Sequence, residues 1–181
     1  TNFEPRSFNM GISKEAFEAS NGFGNIHPGE DPDLSIRLWQ MGYTSQLIPE
    51  AYVFHKRRIS WSKFYMQVKK FGAVRPILTR WHPQTARLTF WFPSFFTLGL
   101  VVVAVSTLFG FFLPGYFLFV YLGIIALDSS FQNKSAVIGL LSVWAVLVQF
   151  VGYGVAFIKS KLVIGWFKKD PRLQYPHLFF E

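Results

Sequence analysis

No charged residue occurs from Leu88 to Leu127, and a second uncharged stretch runs from Ser135 to Ile158. Each is long enough to cross a bilayer core of about 30 Å as a helix. The first stretch, taken as helix at about 1.5 Å per residue, covers about 60 Å, which is two crossings rather than one. Pro114-Gly115 is its natural break, so spans are expected near 94–112, 115–130 and 136–158, with the polar turn Asp128 to Lys134 ahead of the last. An odd number of spans sets Lys159, Lys161, Lys168 and Lys169 on the face opposite Lys56 to Arg87, against the positive-inside bias; two spans, with residues 88 to about 105 along the interface, remove that conflict. Gly139, Gly152 and Gly154 allow close helix contact, and Asp128 near a span end reads as an interfacial residue rather than a proton relay.

The first half belongs to a different environment. Residues 1–87 hold 12 Lys/Arg and 7 Asp/Glu, against 6 and 3 in the remainder, so a water-facing module precedes a membrane module. With 51% hydrophobic residues and 22 Phe, the whole is too apolar for an ordinary soluble domain of 181 residues. The absence of cysteine excludes disulfides, thiolate catalysis and Cys-ligated zinc. The net charge of +8 is concentrated between Lys56 and Arg87, directly before the apolar span, which favours anionic lipid headgroups over nucleic acid. The chain opens at Thr1 with no targeting signal and reads as the C-terminal piece of something longer.

Taken in order, the alternation at Phe8, Met10 and Ile12 is compatible with a short strand, and Ser13 caps a short helix that Asn21-Gly22 ends. A flexible loop, Phe23 to Gly29, delivers the chain to Glu30-Asp31-Pro32-Asp33, three carboxylates within four positions. Proline suits the first turn of a helix, so Asp31 is the natural N-cap and Gly42 the C-terminal stop. Either Asp31 only caps this helix, with Glu30 and Asp33 favouring its positive end, or it does chemistry at the loop-to-helix junction. Residues 44–48 and 51–54 read as short buried extended pieces leading to His55. From Ser60, the apolar stripe Trp61, Phe64, Tyr65, Val68 and Phe71, with Lys63, Gln67, Lys69 and Lys70 on the remaining surface, predicts an amphipathic helix in the headgroup layer, ended by Gly72. An interfacial connector with Trp81 and Trp91 follows to residue 93, and 159–181 form a basic tail.

The succession Asn9-Met10-Gly11-Ile12-Ser13-Lys14-Glu15-Ala16-Phe17, Asn21-Gly22-Phe23, Gly29-Glu30-Asp31-Pro32-Asp33-Leu34-Ser35-Ile36-Arg37-Leu38, Gly42-Tyr43, Ile48-Pro49-Glu50-Ala51 and His55 resembles the acceptor-side half of a membrane-bound family 2 glycosyltransferase, over about residues 5–75. The resemblance implies a fold class of α/β, a partial GT-A-like domain over residues 1–58, followed by the interfacial helix and connector over 59–93 and about three spans over 94–158. It implies inverting transfer from a nucleotide-sugar donor to a lipid-linked or envelope-polysaccharide acceptor, at the cell membrane with the catalytic part facing the cytoplasm. Asp31 matches the presumed general base, and the assignment makes chemical sense, since a carboxylate can take the proton of a poorly nucleophilic alcohol as it attacks the anomeric carbon. Glu30 is its supporting residue.

His55 is a candidate late ligand for a divalent metal, Mg2+ or Mn2+, that the complete enzyme is expected to use. Arg57 and Arg58 are candidates for the leaving diphosphate or a lipid phosphate, although headgroups explain them as well. Asp31-Pro32-Asp33 also spells the family's Asp-x-Asp metal motif, a reading that the proline and the helix start oppose. Gln67-Val68-Lys69-Lys70-Phe71 stands where polymer-building members carry Gln-x-x-Arg-Trp, so Gln67, Lys70 and Phe71 are acceptor-side candidates with the bidentate fork and the indole donor lost. The donor-binding half of such an enzyme is not among these residues, and the chain alone is expected to be inactive. The rival class is a non-catalytic membrane subunit or scaffold docking on anionic lipid. A transporter is disfavoured by spans almost free of ionisable groups.

Overall fold

The computed structural model describes residues 3–54 and 60–180. The chain forms α1 (Lys14–Ala19), α2 (Glu30–Gln40), α3 (Trp61–Trp81), α4 (Phe92–Leu108), α5 (Leu113–Asn133), α6 (Ala136–Ser160), which continues as the wider turn Lys161–Trp166, and α7 (Pro171–Gln174). The α/β expectation is overturned: 72% of the described residues are helical, and none belongs to a strand or sheet. An extended segment becomes a strand only when a neighbour takes up its N–H and C=O groups. Here side chains do part of that work instead, with Asn9 Nδ2 donating to Ala51 O at 3.2 Å and Ser45 Oγ to Phe3 O at 2.5 Å. The expected burial of 51–54 fails as well, since Phe54 is 95% exposed.

The described residues cluster as two compact units. One gathers residues up to 54, 74–86 and 160–180; the other gathers 60–73 and 87–159. The core of the first is apolar, built from Ile26, Leu34, Ile36, Val74, Ile77, Leu78, Ile164 and Leu178. Its short helices begin and end as their sequences dictate. Ser13 Oγ accepts the Ala16 amide at 3.2 Å to cap α1. Beyond α2, Gly42 adopts φ +89, its amide bonds Trp39 O and the Tyr43 amide bonds Leu38 O, a Schellman end that glycine favours.

In the second unit glycines let helices approach. A Cβ at Gly72 would collide with the Tyr153 carbonyl, one at Gly152 with Val68 and Tyr65, and one at Gly154 with Pro93 and Thr97. α3 therefore does not stop at Gly72. That residue is a contact with α6 rather than a helix end, and the helix runs on through Pro76 to Trp81. Thr97 Oγ1 donates to Phe150 O at 3.1 Å, and the Phe96 ring lies 5.0 Å from Phe150 and 6.0 Å from Tyr121. α5 and α6 form a hairpin, with the Ser129 and Ser142 hydroxyls 2.6 Å apart near its turn. Leu88–Leu108, Leu113–Asn133 and Ala136–Trp166 are long and apolar enough to cross a membrane, and their apolar windows are at most 11% buried by protein. Apolar surface on this scale is what lipid covers.

Candidate functional site

α2 carries the acidic cluster, and Gly29 sets its start. With φ +127 this residue turns the chain where a side chain would strain it and would also strike Val74, and its carbonyl accepts the Asp33 amide at 3.0 Å. Gly29 is thus the N-cap. The helix opens at Glu30, two residues earlier than expected, so Asp31 sits within the first turn rather than capping it, and Pro32 occupies a position whose amide needs no partner.

The three carboxylates have different environments. Asp33 is saturated: Oδ1 lies 2.8 Å from His82 Nε2, while Oδ2 accepts from Arg37 Nε at 3.0 Å and lies 2.9 Å from its Nη2. Arg37 also donates to the Ser20 carbonyl and, at 2.7 Å, to Gly22 O, so this buried knot ties the end of α1 to α2 and to the residue after α3. Gly24 leaves it room, since a Cβ there would come within 2.5 Å of Asp33 Oδ2. Glu30 Oε1 lies 2.9 Å from His27 Nδ1, which ties the loop to the helix start, whereas Glu30 Oε2 is buried with no hydrogen-bond partner among the described residues. Asp31 is buried, and its Oδ1 has no hydrogen-bond partner among the described residues. Leaving such an atom unpaired costs about 1–3 kcal/mol, more when it is charged. Unpaired buried groups of this kind call for an explanation.

A cleft of about 600 Å³ runs beside α1 and α2, with Phe8, Asn9, Ser35, Trp39, Tyr43 and Ile48 among its lining. Asp31 does not line it. Ser35 does, one helical turn further on, with its hydroxyl bonded to the Asp31 carbonyl at 2.9 Å. Gln67, Lys70 and Phe71 lie on α3 in the other unit, Gln67 and Phe71 exposed and Lys70 half-buried. His55, Arg57 and Arg58 lie outside the described residues. Among the described residues no group of His, Asp and Glu converges as a metal site, and Asp33 cannot serve an Asp-x-Asp motif because His82 and Arg37 occupy both its oxygens. Sequence reasoning missed His27 and His82. His82 is 49 residues from Asp33, beyond any local pattern, whereas Arg37, four residues after Asp33, is a legible helix pair.

Comparison with protein families matches residues 8–156 to the model of glycosyl transferase family group 2. Neither the curated proteins nor the solved structures yield a match.

Proposed function

The chain belongs to glycosyl transferase family group 2, and from that premise we propose that Asp31 is the general base of an inverting transfer from a nucleotide sugar to a membrane-associated or envelope-polysaccharide acceptor. The observation that carries this reading is the contrast within α2: Asp33 is consumed by structure, while Asp31 Oδ1 is buried and has no hydrogen-bond partner among the described residues. A carboxylate in that state is ready to accept a hydrogen bond from an incoming hydroxyl. As the acceptor oxygen forms its bond to the anomeric carbon, its proton passes to Asp31 and the bond to the diphosphate oxygen breaks, so the nucleoside diphosphate leaves with the electron pair. Glu30, tied to His27, orients the loop that presents Asp31.

Gln67, Lys70 and Phe71 are the acceptor-side candidates on α3, the amide and ammonium for hydroxyls or phosphate and the ring for stacking on a sugar face. Arg57 and Arg58 join them as phosphate partners. A divalent metal remains an expectation for the complete enzyme with His55 as its candidate ligand, and no step here runs through it. Three membrane-length helices are compatible with a membrane protein, and the reading sets the catalytic part on the cytoplasmic face of the cell membrane.

Asp31→Asn in the full-length membrane protein is the direct test. It keeps shape and removes basicity, so transfer should fall by about 10²–10⁴-fold with donor binding retained. Unchanged transfer would end the base assignment and leave a lipid-docking scaffold as the better reading.

A further inference from the structure

Beyond the last membrane-length helix the chain folds back onto the acidic loop. The Leu178 side chain is fully buried, and its carbonyl accepts the His27 amide at 2.8 Å. The Phe180 ring lies 6.0 Å from the His27 ring, and Phe179 packs edge-on against Trp81 at 6.2 Å. Arg80 Nη1 fixes the approach to this segment by donating to Ile164 O at 3.3 Å and Lys169 O at 2.8 Å. On the opposite side the loop has no slack, because Gly29 already abuts Val74 and Leu78 of α3. His27 is therefore the hub: its main chain is held by the tail, and its ring holds Glu30.

We propose that residues 171–180 are a positioning strap, which clamps the His27–Gly29 loop between α3 and the tail and so fixes Glu30 and Asp31 for catalysis. This rests on the reading of Asp31 as base. The strap does not touch the reacting atoms; it acts through His27.

The test compares Leu178→Ala with Leu178→Ile in the full-length protein in lipid vesicles, read in three ways. Hydrogen exchange reports the His27 amide, carbodiimide coupling of glycine methyl ester reports access to Glu30 and Asp31, and steady-state transfer is measured with the UDP- or GDP-sugar that the protein turns over. Leu178→Ala should speed His27 exchange and raise coupling, and should lower kcat by about 10–100-fold, as small misplacements of catalytic groups do, with donor KM within about twofold. Leu178→Ile should restore all three. Unchanged coupling with unchanged kcat overturns the strap. If exchange at the Schellman amides Gly42 and Tyr43 shows that Leu178→Ala has unfolded α2, Phe180→Ala decides by the same readouts, since its ring is 57% exposed and its loss leaves the core intact. Failure of the base reading is separable: Asp31→Asn then leaves transfer unchanged, while His27 exchange and coupling still report the strap.

Discussion

Asp31 and Asp33 are two positions apart in one helix turn, and the difference between their surroundings separates structure from chemistry. Asp33 should behave as a fold residue. Removing one partner of a buried pair leaves the other charge uncompensated, so Asp33→Asn should cost about 3–5 kcal/mol, read as a lowered melting temperature in detergent, whereas Asp31→Asn, which breaks no ion pair among the described residues and removes a buried charge, should not lower it. Equal losses for both variants would remove the distinction. A second residue-scale prediction concerns Tyr175, whose phenol burial pushes above its ordinary value while the Ser160 hydroxyl pulls the other way. The neutral phenol is the form that folding favours, so its contribution is intact below about pH 10 and declines as the pH climbs from there toward the raised value. Absorbance at 295 nm should therefore show one tyrosine ionising late in the folded protein, absent in Tyr175→Phe, whose stability should fall less over that alkaline range. At this scale the acidic cluster was legible because its residues are adjacent. Arg37, one turn after Asp33, was legible with it, but His82 was not, since it reaches Asp33 only through the tertiary fold.

Elements divide in the same way between what local chemistry decides and what neighbours decide. Ser13, Asn21-Gly22 and Gly42 mark helix ends by backbone rules that act within a few residues, and α1 and α2 end close to where those rules predict. Extended segments have no such self-sufficiency, and with a single bridge at Ser45 and no ladder among the described residues, residues 44–54 stay irregular despite their apolar pattern. Gly72 is the instructive failure. Its local reading is a stop, whereas its environment makes it a close contact between α3 and α6. In a helix interior Ala is preferred over Gly by about 1 kcal/mol, so Gly99 on α4, where a Cβ would meet nothing within 4 Å, should accept alanine with a gain of that order. Gly72→Ala meets a main-chain carbonyl that cannot rotate aside, and overpacking of about 1–3 kcal/mol should outweigh the helical gain. Melting temperatures in detergent should move in opposite directions for the two variants; a rise for both would mean that α3 and α6 do not approach at Gly72.

At the scale of the whole molecule, the membrane-length helices were legible from charge alone, but their number of crossings depends on what the chain does afterwards. Residues up to 54, 74–86 and 160–180 form one compact unit, tied by the His27–Leu178 and Arg80–Lys169 hydrogen bonds. Glu50 and Lys169 belong to that one unit, so both should be reached from the same side of a bilayer, whereas three full crossings between residues 87 and 159 would put them on opposite sides. α5 and α6 are the natural crossing pair, since they are antiparallel and meet at the polar turn Asn133 to Ser135. α4 starts with Trp91 5.0 Å from the Phe157 ring near the end of α6, and by Val103 it faces Gly115 at the start of α5, so both its ends lie at the open end of that hairpin. α4 is one unbroken helix, so with both ends at that level it should not cross the bilayer. The chain has no cysteine, so single cysteines report cleanly. In sealed vesicles of one orientation, a membrane-impermeant maleimide should label Glu50→Cys and Lys169→Cys from the same side and Asn133→Cys only from the other. Labelling of positions 50 and 169 from opposite sides would mean three full crossings, and it would also separate the tail from the acidic loop that it is inferred to hold.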